Sequence, residues 1–264
     1  MFTTRPVPDW LCWAASGRAT RIVGYRAAAW LYGLDGVPAL QPEFAIAHGT
    51  RKRRPFDHQR RRIEDLDVVE AQGLLITSVS QTLVDLCAVC DLDVVERASE
   101  SALRLGFVGE LELREFAAMW AFYRRGVPGL REVLARRRFG APATGSDLET
   151  MCVQVFRRGG IREPERQYPV VDADGEVVAI ADFGFPPKLF IVETDGLETH
   201  GKTREQQQYD LNRQNRICDA GHTLRRFTYS DVTQRPRYVC RETERGLLAA
   251  QIAFPTPPIL RRAS

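Results

Sequence analysis

The order of apolar and polar positions predicts an α/β unit in the second half of the chain. Two apolar runs, residues 177–181 and 189–192, are too short for helices, rich in β-branched side chains and separated by Gly184 and two prolines, which is typical of buried strands. The predicted elements are a helix from 146 to 158, strands over 167–171, 176–183 and 188–195, a helix over 204–220, a strand over 222–227 and a helix from 236 to near 252. This order predicts an α/β sandwich with a mixed sheet.

The first half of the chain predicts a mainly helical domain with a small sheet. The predicted strands cover 43–47, 67–69 and 74–76, and the predicted helices cover 10–16, 25–34, 80–90, 93–105, 111–123 and 130–138. The segment 140–145 is rich in Gly, Ala, Pro and Thr and is the best predicted domain boundary. We therefore predict one domain over residues 1–140 and a second over residues 145–252.

Composition narrows the class of protein. The 264 residues are 44% hydrophobic and 27% charged, as in globular proteins, and no apolar run reaches the roughly 18 residues that a membrane span requires. The first residues do not form a signal peptide, so we expect a cytoplasmic protein without a membrane partner. The six cysteines show no disulfide framework, and Cys87 and Cys90 lie on an apolar helical stripe, which favours a core position over metal or redox chemistry.

Basic residues are concentrated in one segment of the first half. The net charge is only +3, so attraction to nucleic acid must come from local clusters. Between residues 51 and 62, seven Arg or Lys residues face a single acid, Asp57. The first four of them are the predicted DNA contacts of this domain: Arg51, Lys52, Arg53 and Arg54.

Two segments of the first half carry a family resemblance. Residues 25–34, YRAAAWLYGL, and residues 76–86, ITSVSQTLVDL, match recurring segments of the AbiEi-type antitoxin and regulator family. The resemblance implies a winged-helix-like module followed by a helical region. It also implies a regulatory or DNA-binding role, with a toxin or a second copy of the chain as a conceivable partner that the sequence does not specify.

Three acids lie at the ends of the two most apolar predicted strands. Asp182 ends the first strand, and Glu193 and Asp195 end the second. An ionised carboxylate beside a packed sheet costs several kcal/mol unless it is paired, hydrogen-bonded or bound to a metal. Three such acids repel one another, and proteins commonly compensate clustered carboxylates with a bound divalent cation.

The same acids carry a second resemblance, over about residues 145–250, to Vsr-like endonucleases of the PD-(D/E)XK superfamily. The matching residues are SDLE at 146–149, ADF at 181–183, VETDG at 192–196, His200, Asp210 with Arg213, and LRRFTYSDV at 224–232. The resemblance implies a restriction-endonuclease-like fold that hydrolyses phosphodiester bonds in DNA with Mg²⁺ or Mn²⁺.

The resemblance also assigns residue roles. It implies metal ligation by Asp182, Glu193 and the carbonyl of Thr194, with Glu149 holding a metal-bound water. The usual Lys two positions after the second acid is replaced by Asp195, which becomes a metal or water ligand, while His200 donates a proton or contacts phosphate. Phosphate contacts are expected from three further residues on or just before the polar helix: Lys202, Gln206 and Arg213.

Several alternatives remain open in the sequence. Ser146 and Glu149 have capping-box spacing, so Glu149 could bond back to the amide of Ser146 instead of serving catalysis. Asp210 and Arg213 could form an ion pair on a solvated helix face. A regular hairpin centred on residues 185 and 186 would pair Glu193 with residue 178, about 13 Å from Asp182, so a shared ion requires a bend, a bulge or an Asp182 outside the paired stretch. The alternative function is a catalytically inactive DNA-binding or antitoxin-like regulator that retains the nuclease fold.

Overall fold

The computed structural model describes residues 5–15, 21–38, 42–50, 56–60, 62–119, 125–196 and 203–252. The chain divides into two compact units, Met1–Ala143 and Thr144–Ser264, and the division falls within the segment 140–145. Both units combine helices with a mixed sheet, which confirms the predicted mixed α/β class.

The first unit contains a five-stranded sheet of short strands in the order β3-β2-β1-β5-β4. Its elements are α1 (Asp9–Ala15), β1 (Ile22–Val23), α2 (Tyr25–Leu31), β2 (Phe44–Ala47), β3 (Asp57–Arg60), β4 (Val68–Ala71), β5 (Leu74–Thr77), α3 (Val79–Leu86), α4 (Leu92–Arg104), α5 (Glu110–Met119) and α6 (Val127–Ala135). The sequence did not predict β1 or β3. Strand β3 forms within the basic segment because it pairs in parallel with β2, and Arg21 forms a buried ion pair with its first residue, Asp57.

The second unit is a four-stranded sheet in the order β6-β7-β8-β9, with helices on both faces. Its elements are α7 (Asp147–Arg158), β6 (Glu165–Val171), β7 (Val177–Gly184), β8 (Phe190–Asp195), α8 (Arg204–Asp219), β9 (Thr223–Thr228), α9 (Tyr229–Gln234) and α10 (Pro236–Ala249). The first two neighbouring pairs of strands are antiparallel and β8 pairs with β9 in parallel, so the sheet is mixed, as predicted.

Two cores lie on opposite faces of this sheet. On one face, aromatic side chains such as Phe183 and Phe227 pack against α7, α9 and α10. On the other face, Ala181 and Ile191 pack against Ile217 of α8. Alternate residues of a strand point to opposite faces, and β7, β8 and β9 each contribute residues to both cores.

The regular hairpin considered from the sequence does not form between β7 and β8, and Asp182 lies outside their paired stretch, one of the conditions that the sequence left open. The observed pairs are Phe183 with Val192 and Gly184 with Ile191, which places Asp182, and not residue 178, opposite Glu193. The connection between β7 and β8 is longer than a symmetric turn at residues 185 and 186, because its last two residues, Lys188 and Leu189, pair with other parts of the unit. Lys188 bridges to Ile252, and the carbonyl of Leu189 accepts a hydrogen bond from Thr223 N.

No helix of the described part of the chain is both long and apolar enough to cross a membrane.

Candidate functional site

Asp182 lies where the regular alternation of β7 breaks. Ala181 belongs to the core beneath α8 and Phe183 to the core beneath α7, although residues two apart in a regular strand share a face. Asp182 is also the first residue beyond the pairing of β7 with β8. Its Oδ2 accepts hydrogen bonds from the backbone N of Thr194 at 2.7 Å and from the hydroxyl of Thr194 at 2.8 Å. The carboxylate of Asp182 thus links β7 to β8 at the point where their backbone pairing ends.

The position opposite Asp182 on β6 is strained. Strands β6 and β7 keep a constant register from Glu165 to Val170, but the facing residues Gln167 and Asp182 form no pair in it. Gln167 has φ +48°, in the left-handed region that glycine favours. Backbone strain of this kind costs about 1–3 kcal/mol and concentrates at functional sites. The irregularity nearest these acids therefore lies at Gln167 and Asp182, whereas Gly184 is regularly paired with both neighbouring strands.

Glu149 reaches this position from the first turn of α7. Ser146 caps the helix, because its hydroxyl accepts a hydrogen bond from Glu149 N at 3.1 Å. The Glu149 carboxylate accepts hydrogen bonds from Gly145 N at 2.6 Å and from Gln167 Nε2 at 3.1 Å, so the expected return bond goes to Gly145 and not to Ser146. Burial, reinforced by the negative charge of Asp182, raises the pKa of Glu149 to about 7. Its carboxyl group can exchange a proton near neutral pH.

Glu193 is a buried acid with an arginine on each side. Arg213 Nη1 of α8 lies 2.5 Å from Glu193 Oε1, and Arg226 Nε of β9 lies 3.8 Å from Oε2. The Oε1 atom is buried and has no hydrogen bond of acceptable geometry. Burial raises the pKa of Glu193, the two arginines oppose that shift, and the charge of Asp182 adds to it. Asp182 therefore interacts electrostatically with both Glu149 and Glu193.

Arg226 belongs to the matching segment 224–232, but the sequence assigned it no role in the site. The parallel register of β8 and β9 places it beside Glu193, and its Nη2 lies 2.7 Å from Asp195 Oδ1. Asp195, expected as a metal or water ligand, is thus held by an arginine. The signal in the sequence was the pair of arginines inside a short strand, but its meaning depends on which strand β9 adjoins.

The structure brings together only part of the predicted site. Asp182, Glu193, Thr194 and Glu149 converge, and Arg213 contacts Glu193 while its Nη2 donates a 2.6 Å hydrogen bond to the carbonyl of Ile180. The other predicted site residues lie outside the described residues: His200, Lys202, Arg51, Lys52, Arg53 and Arg54. Of Gln206, the structure describes the backbone and not the side chain.

The chemistry of the donor set decides whether a cation fits. Across the described ranges, no three or more His, Cys, Asp or Glu side chains are grouped so as to hold a metal ion. A smaller set is present, because two carboxylates, Asp182 and Glu193, flank the backbone of Thr194. Mg²⁺ is commonly held by one or two carboxylates and keeps several of its waters. Oε1 of Glu193 is buried without a hydrogen bond of acceptable geometry, and Arg213 Nη1 lies 2.5 Å from it, so the carboxylates fit an ion of this kind that takes the place of Arg213 at this oxygen.

Comparisons of the chain with protein-family models, with curated proteins and with solved structures give no significant match.

Proposed function

We propose that the second unit is a restriction-endonuclease-like domain that hydrolyses phosphodiester bonds in DNA with the help of a divalent cation. The observation that carries this proposal is the convergence of three buried or half-buried acids from three separate elements: Glu149 of α7, Asp182 of β7 and Glu193 of β8. Like charges in a poorly solvated place need compensation, which a bound cation can supply together with Arg213 and Arg226. Carboxylates arranged in this way favour metal-assisted hydrolysis over other reaction classes.

Asp182, Glu193 and the carbonyl of Thr194 are the residues that would hold Mg²⁺ or Mn²⁺. When bound, the ion would polarise the scissile phosphate and lower the pKa of a coordinated water. Thr194 fixes the Asp182 carboxylate through two hydrogen bonds, so that group is oriented in advance. Because Arg213 supplies the positive charge beside Glu193 Oε1, a cation at that oxygen must compete with it.

Glu149 and the arginines supply the remaining chemistry in this proposal. The pKa of Glu149 is about 7, which suits a group that accepts a proton from water and releases it again near neutral pH. Gly145 and Gln167 hold its carboxylate in place. Arg226 carries positive charge next to Asp195, where the superfamily pattern has a lysine, so it can replace the missing charge from the neighbouring strand.

The test of this function is nicking of supercoiled plasmid by the full chain. We expect relaxed or linear DNA to appear with Mg²⁺ or Mn²⁺ and to be absent with a chelator. The alternative, a non-catalytic DNA-binding regulator in which the first unit supplies DNA binding, is favoured by one observation: each acid of β8 already has an arginine partner. Tight DNA binding without cleavage under any metal condition would support that alternative.

Arg226 gives a separate prediction within this function. Arg226→Ala removes positive charge beside Glu193 and Asp195, and we expect cleavage to slow by about a hundredfold, the range measured for losing one electrostatic stabiliser of a transition state. Arg226→Lys should retain part of the rate because the charge remains. The matched control is Arg225→Ala on the same strand, whose Nη1 donates to the carbonyl of Leu224. Equal loss in both alanine variants would contradict a specific role for Arg226.

A further inference from the structure

Helix α8 presents a polar face where a helix packed on a sheet is usually apolar. Tyr209, Asn212, Arg213 and Arg216 follow the i, i+3, i+4, i+7 spacing of one helix face. Among the described side chains of α8, the one fully buried against the sheet is Ile217, in the last turns of the helix. The turns before it therefore place polar and aromatic side chains near β7.

These turns border a cleft of about 520 Å³. Its walls are one residue of β7 and five residues of α8: Val178, Tyr209, Asn212, Arg213, Asn215 and Arg216. Sites for small ligands span roughly 300–1,000 Å³, so the volume is that of a site for one small organic group. Because Arg213 also contacts Glu193, the cleft adjoins the carboxylates of the candidate site.

The lining combines the groups that recognise a nucleotide. Tyr209 is 69% exposed and its ring offers a stacking surface, and Val178 adds an apolar wall. Asn212 accepts a hydrogen bond from Gln208 Nε2 at 3.1 Å, which leaves its own amide N–H groups to donate. Arg216 forms no ion pair with any acid in the described part of the chain, so its charge remains for an anion.

We propose that this cleft binds one unpaired nucleotide of a DNA strand, with the base stacked on Tyr209 and a phosphate at Arg216. Together with the proposed function, on which this step rests, such binding sets the preferred substrate as DNA that has an unpaired base beside the scissile phosphate. A single DNA strand is a substrate of this kind.

The lining favours an unpaired nucleotide over intact duplex. Duplex binding draws its affinity from many phosphate contacts, whereas among the described residues that line the cleft one cation, Arg216, has no ion-pair partner. Recognition of single strands combines a few cations with aromatic stacking surfaces, each of which contributes substantially to binding. A base that is paired within a duplex cannot enter a concave site of this volume without leaving its stack.

The experiment measures binding of the full chain to a labelled oligothymidylate by fluorescence anisotropy, with a chelator present so that no cleavage occurs. Tyr209→Ala should weaken binding by about five- to a hundredfold, because a stacked base is lost, and Tyr209→Phe should bind as the wild type does. Arg216→Ala should lower the slope of log affinity against log salt by roughly 0.7. The matched controls replace an exposed tyrosine of α9 and an exposed arginine of α10, Tyr229→Ala and Arg237→Ala, and should change neither quantity.

These outcomes test nucleotide binding in the cleft independently of the proposed nuclease activity. Tyr209-dependent binding of the oligothymidylate supports the cleft even if no metal condition gives cleavage, in which case only the nuclease is refuted. Wild-type affinity in both Tyr209→Ala and Arg216→Ala would contradict nucleotide binding in the cleft, whether or not the chain cleaves DNA. Equal or tighter binding of a duplex of the same sequence would overturn it too, as would a preference for the matching oligouridylate RNA.

Discussion

Asp182→Asn is expected to reduce metal-dependent DNA cleavage by roughly a thousandfold, because it removes one of two charged ligands from an ion that contributes several kcal/mol to the transition state. The substitution is nearly isosteric. The amide oxygen of Asn can still accept the hydrogen bonds from Thr194 N and Oγ1, so the junction of β7 and β8 should remain intact.

The measurement is the initial rate of plasmid nicking at saturating Mg²⁺, with circular dichroism to verify the fold. The matched control is Asp174→Asn in the exposed turn between β6 and β7, which should cleave at the wild-type rate. If Asp182→Asn retained cleavage within about tenfold of the wild type, Asp182 would not be a ligand of the catalytic ion.

Glu149→Gln is expected to make the second unit more stable at high pH. The pKa of Glu149 is raised from 4.5 to about 7, so between these values the folded chain holds a proton that the unfolded chain has released. The stability that this group contributes is therefore complete below pH 4.5 and is lost as the pH rises to about 7. Above that window the ionised, buried carboxylate destabilises the fold by up to about 3 kcal/mol.

Glutamine cannot ionise, and its amide oxygen can still accept the hydrogen bond from Gly145. The variant should match the wild type at about pH 4.5 and exceed it by up to about 3 kcal/mol at about pH 8. Far-UV circular dichroism during urea unfolding is the appropriate measurement, because all four tryptophans belong to the first unit. Glu176→Gln in the exposed hairpin turn is the control. A difference that does not change with pH would contradict the raised pKa.

The sequence predicted most elements of the second unit because local signals mark them. Ser146 caps α7 as its spacing indicated, and the β-branched runs became β7 and β8. The register of these two strands could not be chosen from the sequence, because it depends on distant residues. Thr223 and Ile252 take up the pairing of the two residues that precede β8, and the local sequence of the turn carries no sign of them.

Two contributors to the site could not be predicted, for related reasons. Arg226 reaches Glu193 because β9 lies next to β8 and parallel to it. The sequence of a single strand does not indicate which strand will be its neighbour. Gln167 adopts a left-handed backbone conformation that glutamine rarely adopts, so the local sequence does not predict it. In the first unit, β3 was missed because its sequence, DHQR, is polar throughout and lacks the alternation of a half-buried strand.

Binding of one divalent cation between Asp182 and Glu193 is central to the proposed function, and crystals of the chain grown with Mn²⁺ would test it most directly. We expect an anomalous difference peak at about 2 Å from one carboxylate oxygen of each residue, with Arg213 displaced from Glu193 Oε1. In crystals of Asp182→Asn the peak should be absent. A wild-type structure without a peak between these residues, in which Arg213 keeps its contact with Glu193 at saturating Mn²⁺, would contradict the proposed metal site.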